Sequence, residues 1–259
     1  MRLFTRHSPS LLRLPAGCAI LLLTGCGAPP PSPAKLTVAA ASNLMGAFDE
    51  IAAGFHRKTG IEVVLSYGST AQLARQIDNG APFDVFAAAD TSHIDELASK
   101  GRIVADTKAV YARGQLALWV PHGEKLGFRE IKDLAGPQIR FVAIAQPNLA
   151  PYGSAAVEAL KASGQWPAIE PKVVYGSNIG VARQYAETGN ADAAFTAYSL
   201  VMNESGTVLK VEPKLYPSIG QSAGIVASSQ HIGAAGQFMA FLLGADGAAI
   251  LANHGYLAP

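Results

Sequence analysis

Four times between Leu36 and Tyr198 the chain runs from an apolar stretch through a turn of Ser, Thr, Asn or Gly into a segment with helical apolar spacing. The turns are AAASN (Ala39 to Asn43), YGSTAQLARQI (Tyr67 to Ile77), APYGSAAVEAL (Ala150 to Leu160) and YGSNIGVARQY (Tyr175 to Tyr185), and none ends in Lys or Arg. Repeated strand, turn and helix restricts the fold to αβ crossover units, with parallel strands covered by helices on both faces. Each helix start carries N–H groups without intrahelical partners and the positive end of a macrodipole. The pattern points to a chain that grips a small anion with helix N-termini.

The first 35 residues lie outside this pattern. Arg2, Arg6 and Arg13 form a basic leader, Ala16 to Leu23 is apolar, and Leu23-Thr24-Gly25-Cys26 follows directly. The apolar run is far shorter than the roughly 20 residues that span a bilayer, so residues 1–25 read as a secretory signal. The Leu-Thr-Gly-Cys tetrad resembles a bacterial lipobox, which implies cleavage before Cys26 and lipidation of its sulfur. Residues 26–35, with the Pro-rich APPPSPAK, suit a semi-rigid tether. Cys18 leaves with the signal, so the mature chain offers no disulfide and no cysteine chemistry.

Charge excludes one class of partner. Lys and Arg total 20 against 19 Asp and Glu, and loss of the three leader arginines brings the mature chain to about −2. No basic stripe or Lys/Arg cluster is available to neutralise successive phosphates, so nucleic acid is not an expected partner.

The part from Leu36 onward is long enough for two lobes. Its alternation reads as Lys35 to Ala41 then a helix from Leu44 to the Gly60 stop, Ile61 to Ser66 then Ala71 to Asp78, and Phe83 to Ala88 then Ile94 to Lys100. Gln115 to Val120 precedes a helix at Ile131 to Leu134, and Ile139 to Ile144 precedes Ala155 to Ala162. Lys172 to Tyr175 leads to Val181 to Thr188, and Ala193 to Ala197 to a helix over Tyr198 to Glu204. A late strand, Ile219 to Ala227, lacks its own crossover helix and can return the chain to the first lobe, where Ala234 to Leu243 and Ala245 to Ala252 are terminal helices. The expected lobes are 36–115 plus 224–259, and 116–223, with crossings near Arg113 to Gln115 and Gln221 to Gly224. Open parallel sheets bind ligands outside the carboxyl ends of their strands, where all four turns fall.

Ser42 and Asn43 suit N-caps of a helix at Leu44, and capping alone accounts for either taken singly. Ser69 and Thr70 after Gly68, and Ser177 and Asn178 after Gly176, invite the same explanation. Pro151 fixes the turn at Tyr152 and Gly153 and presents the next helix's N–H groups. Tyr198 ends an apolar strand, either as a neutral donor or as an ordinary half-buried aromatic. His56, His93, His122, His231 and His254 lack metal-ligand spacing, and no nucleophile elbow, P-loop or dinucleotide fingerprint occurs. Asp84 and Asp90 bracket an apolar strand and read as loop-positioning groups. An enzyme is not expected.

Taken together, KLTVAAASNL, YGSTAQLARQIDNGAPFDVFAAAD, APYGSAAVEAL and NIGVARQYAETGNADAAFTAYS resemble the periplasmic molybdate-binding proteins of ABC importers, over Leu36 to Leu257. The resemblance implies a type II periplasmic-binding fold: two αβ lobes, each a mostly parallel sheet flanked by helices, joined by two crossings and closing on a tetrahedral oxyanion. It implies ligand hydroxyls at Ser42 and, counting back from Leu73-Ala74-Arg75, at Thr70, with Ser69 the neighbouring alternative. It further implies backbone donors at Tyr152 and Ile179 and a tyrosine hydroxyl at Tyr198. Tyr152 and Gly153 stand where other relatives carry Ala-Gly. Molybdenum would be held only as molybdate, through its oxygens, with no cofactor. The implied partner is a membrane permease, for a monomer held at the cell envelope by Cys26.

The chemistry of the donor set narrows the ligand. A deprotonated dianion such as molybdate, tungstate or sulfate only accepts hydrogen bonds, whereas monohydrogen phosphate also needs an acceptor for its proton. Sulfate or thiosulfate is the alternative ligand.

Overall fold

The computed structural model describes residues 35–259 apart from 124 and 126, so the signal, the lipobox with Cys26 and most of the tether fall outside the described residues. The strands are β1 (Lys35–Ala41), β2 (Glu62–Gly68), β3 (Val85–Ala88), β4 (Ala109–Gly114), β5 (Leu116–Val120), β6 (Val142–Ala145), β7 (Val173–Gly176), β8 (Ala193–Ala197), β9 (Thr207–Lys210) and β10 (Ile219–Ile225). The helices are α1 (Ala47–Thr59), α2 (Thr70–Asp78), α3 (Ser92–Ser99), α4 (Pro151–Ala162), α5 (Trp166–Ile169), α6 (Ile179–Glu187), α7 (Ile232–Leu243) and α8 (Ala245–Asn253).

They form two five-stranded sheets, ordered β2-β1-β3-β10-β4 and β7-β6-β8-β5-β9. In the first, Val38 pairs in parallel with Leu65 and Val85, while β10 runs antiparallel to both β3 and β4. In the second, Ala143 pairs in parallel with Val174 and Ala194, while β5 runs antiparallel to β8 and β9. The sheets are therefore mixed: each has four strands in one direction and one reversed. The reversed strand is in both cases the one that has just arrived from the other lobe, since it enters without a crossover helix to turn it around.

Helices cover both faces of the first sheet. Phe48 and Phe55 of α1 meet Phe238 and Phe241 of α7, with the Phe55 and Phe238 rings edge-to-face at 5.4 Å. Leu73 and Ile77 of α2 and Ile94 and Leu97 of α3 bury against Phe86 and Ala39 on the opposite face. In the second sheet, α4 and α6 pack on β6 and β8. Among the described residues no single helix is long and apolar enough to cross a membrane, and α7 with α8 passes only as a pair bent by 57°, with Phe238, Leu242 and Leu251 buried in the core.

Several sequence expectations change. The segments at Ile131–Ala135 and Tyr198–Leu200 are single 3₁₀ turns where helices were expected. The short strands β4 and β9, on sheet edges, and the one-turn α5 were not foreseen, because four to six partly exposed residues carry little periodicity. The outward crossing falls at Gln115, between β4 and β5. The return crossing lies earlier than expected: β10 pairs with β3 and β4 from Ile219, so residues 219–223 belong to the first sheet and the chain crosses within 211–218.

Candidate functional site

The carboxyl end of β1 does not feed a capped helix. Residues Ser42–Leu44 make one 3₁₀ turn with no side-chain cap bond, and α1 begins only after Gly46, which adopts φ +78° and donates its N–H to Asp49. Capping therefore does not explain Ser42 or Asn43. Ser42 is 4 % exposed, and its Oγ accepts the Gly180 N–H at the start of α6 on the other lobe, at 3.5 Å. The Asn43 amide donates to Gln221 Oε1 and Tyr256 Oη, and its carbonyl accepts from Tyr256 Oη at 2.6 Å and from Ser199 Oγ at 3.0 Å.

The other turns divide into caps and free donors. Ser69 is the N-cap of α2, its Oγ accepting from Gln72 N–H at 3.4 Å. Thr70 Oγ1 accepts from Ala89 N–H at 3.2 Å, which leaves the hydroxyl proton to donate. Asn178 caps α6 through Val181 N–H, and Ala182 N–H bonds the Asn178 carbonyl. At α4, Gly153 and Ser154 donate to the Ala150 carbonyl. The N–H groups of Tyr152 and Ile179 remain as the orphan donors that helix starts create.

The lobes touch across this region. Ala71 N–H at the α2 start donates to Leu149 O just before α4, at 3.1 Å, beside the Ser42 to Gly180 and Ser199 to Asn43 contacts. Ser42, Ser69, Thr70, Tyr152 and Ile179 are all buried. Ser42, Tyr67, Asn178, Gly180 and Arg183 line a cleft of about 370 Å³. Arg183 is not a free cation there: it pairs with Glu187 and Glu204 and lies 5.7 Å from the Trp119 ring. A separate crevice is lined by Asp90, His93, Asn148, Pro151 and Ser218.

Tyr198 opens the 3₁₀ turn Tyr198–Leu200 that follows β8. Its N–H donates to Gln115 O at the crossing, its ring packs where a Cβ on Gly255 would fall, and the Lys210 ammonium lies 4.0 Å from the ring centroid. Among the described residues no hydrogen bond joins its hydroxyl to Ser42, Ser69 or Thr70. The hydroxyl that reaches the first lobe from this turn is that of the next residue, Ser199. Sequence reasoning missed Ser199, Gln221 and Tyr256, because only the third dimension brings them to Asn43.

The sequence profile of the bacterial extracellular solute-binding proteins matches residues 36–257. The chain belongs to that family. This solute-binding protein is 34 % identical to the molybdate-binding protein ModA of Rhodobacter capsulatus over 250 residues, covering 96 % of this chain and 98 % of that one. It is 35 % identical to ModA of Azotobacter vinelandii over 229 residues, covering 86 % and 90 %. The solved periplasmic molybdate-binding protein of Azotobacter vinelandii superposes with a TM-score of 0.82 at 32 % identity, covering 86 % of this chain and 99 % of that one. Its relatives are binding proteins, and this one is likewise a solute-binding protein and not an enzyme. Among the described residues no group of three or more His, Cys, Asp or Glu is placed to hold a bare metal ion.

Proposed function

We propose that this solute-binding protein captures molybdate between its lobes and delivers it to the membrane permease of an ABC importer. The observation that carries the reading is the meeting of Ser42 Oγ, from one lobe, with the N–H groups at the start of α6, from the other. The relatives named for molybdate match nearly the whole chain. The assigned donors are the hydroxyls of Ser42 and Thr70 and the N–H groups of Tyr152 and Ile179. Ser69 is left to its cap, and Tyr198 to packing against Gly255 and Lys210.

A dianion surrounded by such groups meets only donors, and its charge is spread over helix dipoles without the desolvation of a paired Lys or Arg. Tungstate, nearly identical in size and charge, fits the same donor set. Sulfate is the second reading, favoured only by its equal lack of protons. The protein acts in the periplasm at the cell envelope, held to a membrane by lipid on Cys26. Calorimetric titration with molybdate, tungstate, sulfate and phosphate in one buffer tests the proposal: molybdate and tungstate should bind tightly. Phosphate or sulfate binding as tightly as molybdate would refute the assignment.

A further inference from the structure

Tyr152 has a second feature that its backbone role does not use. Its side chain is 1 % exposed, and its hydroxyl is buried beside the Asn43 side chain. The ring leaves α4, on the second lobe, and enters the first. A Cβ built on Gly114, the last residue of β4, would lie 1.9 Å from the Tyr152 hydroxyl oxygen and 2.8 Å from Cζ. The same point is 3.0 Å from Nε2 of Gln221 on β10. Gly114 is not among the glycines with positive φ, so its backbone suits any residue, and it is the phenol, with the Gln221 amide behind it, that leaves no room for a side chain. Gly114 also immediately precedes the crossing at Gln115.

We propose that the Tyr152 phenol, seated in the slot left by Gly114, is the positioning element that fixes how far the start of α4 can approach the first lobe. This rests on the reading that the Tyr152 N–H is one of the ligand donors: ring and donor belong to one residue, so seating the ring sets the donor's distance from Ser42 and Thr70. Phenylalanine would keep the ring in the slot and remove only the hydroxyl.

Three variants test this by molybdate calorimetry and small-angle scattering with and without saturating molybdate. Gly114→Ala should bind roughly tenfold or more weakly, the size of an ordinary overpacking penalty, and should stay expanded when molybdate is added. Tyr152→Phe, which keeps the ring in the slot, should lose much less affinity than Gly114→Ala. The double variant should recover part of the Gly114→Ala loss, because removing the hydroxyl deletes the shortest contact and leaves the one to Cζ. Thermal unfolding without molybdate establishes that each variant is folded. Gly114→Ala binding and closing like the unaltered chain would overturn the proposal, as would Tyr152→Phe losing as much affinity as Gly114→Ala. An unaltered chain that binds no molybdate would instead refute the functional reading, and the slot would then stand or fall on whether Gly114→Ala alone is more expanded.

Discussion

Replacing Ser42 with alanine separates ligand holding from fold maintenance. The side chain is buried, caps no helix, and makes one contact at the outer limit of hydrogen-bond length, 3.5 Å to Gly180 N–H. Its removal deletes a hydroxyl donor to a dianion and almost nothing else. Hydrogen bonds to charged groups contribute about 1.5–3 kcal/mol, so molybdate affinity should fall roughly 10- to 150-fold. The thermal midpoint without ligand should move by less than about 2 °C, since 1 kcal/mol shifts a domain of this size by roughly 2–4 °C. Calorimetry gives the first quantity and scanning fluorimetry the second. Unchanged affinity would refute the reasoning, and so would an affinity loss accompanied by an equal loss of fold stability.

Ser69→Ala should show the converse, a cap loss of about 1 kcal/mol that lowers the thermal midpoint with little change in molybdate affinity, whereas Thr70→Ala should lower affinity. Tyr198→Phe should leave calorimetric affinity within about threefold, well under the tenfold that 1.4 kcal/mol brings; a larger loss would return its hydroxyl to the donor set. His93 carries a pH prediction. Its hydrogen bond to the Asp90 carboxylate, at 2.8 Å, holds the imidazole pKa above the ordinary value against the opposing effect of partial burial. That stabilisation is complete below the unfolded value of about 6.5 and is lost as pH rises through the higher folded value. Urea unfolding should therefore show a larger gap between the unaltered chain and His93→Gln at pH 5.5 than at pH 8.5. Cys26→Ser should move the protein from the membrane fraction to the soluble fraction and abolish labelling by a fatty-acid analogue.

The long helices and central strands were legible because their apolar spacing is strong and their turns are punctuated by Gly, Ser and Asn. The strands β4 and β9 were not, since a short edge strand such as Thr207–Lys210 is defined by its neighbour, here β5, more than by its own pattern. The return crossing was misplaced for a related reason: Ile219 to Ile225 reads as one strand, but which sheet takes its first residues depends on pairing with Gly114 and Ala112 far earlier in the chain. At the site, the hydroxyl and amide turns announced themselves, yet their roles did not. Ser69 and Asn178 are caps, as the local sequence allows, while Asn43 turns from the helix it precedes to Gln221, Tyr256 and Ser199. No local pattern distinguishes these cases. Nor does any reveal that the unusual Tyr152 needs a glycine 38 positions earlier.

The most direct test of the account is the position of the metal itself. Crystals grown with tungstate should give a single strong anomalous peak whose surrounding oxygens lie within hydrogen-bond reach, about 2.7–3.1 Å, of Ser42 Oγ, Thr70 Oγ1 and the N–H groups of Tyr152 and Ile179. A peak elsewhere, such as the crevice lined by His93 and Asn148, would contradict it.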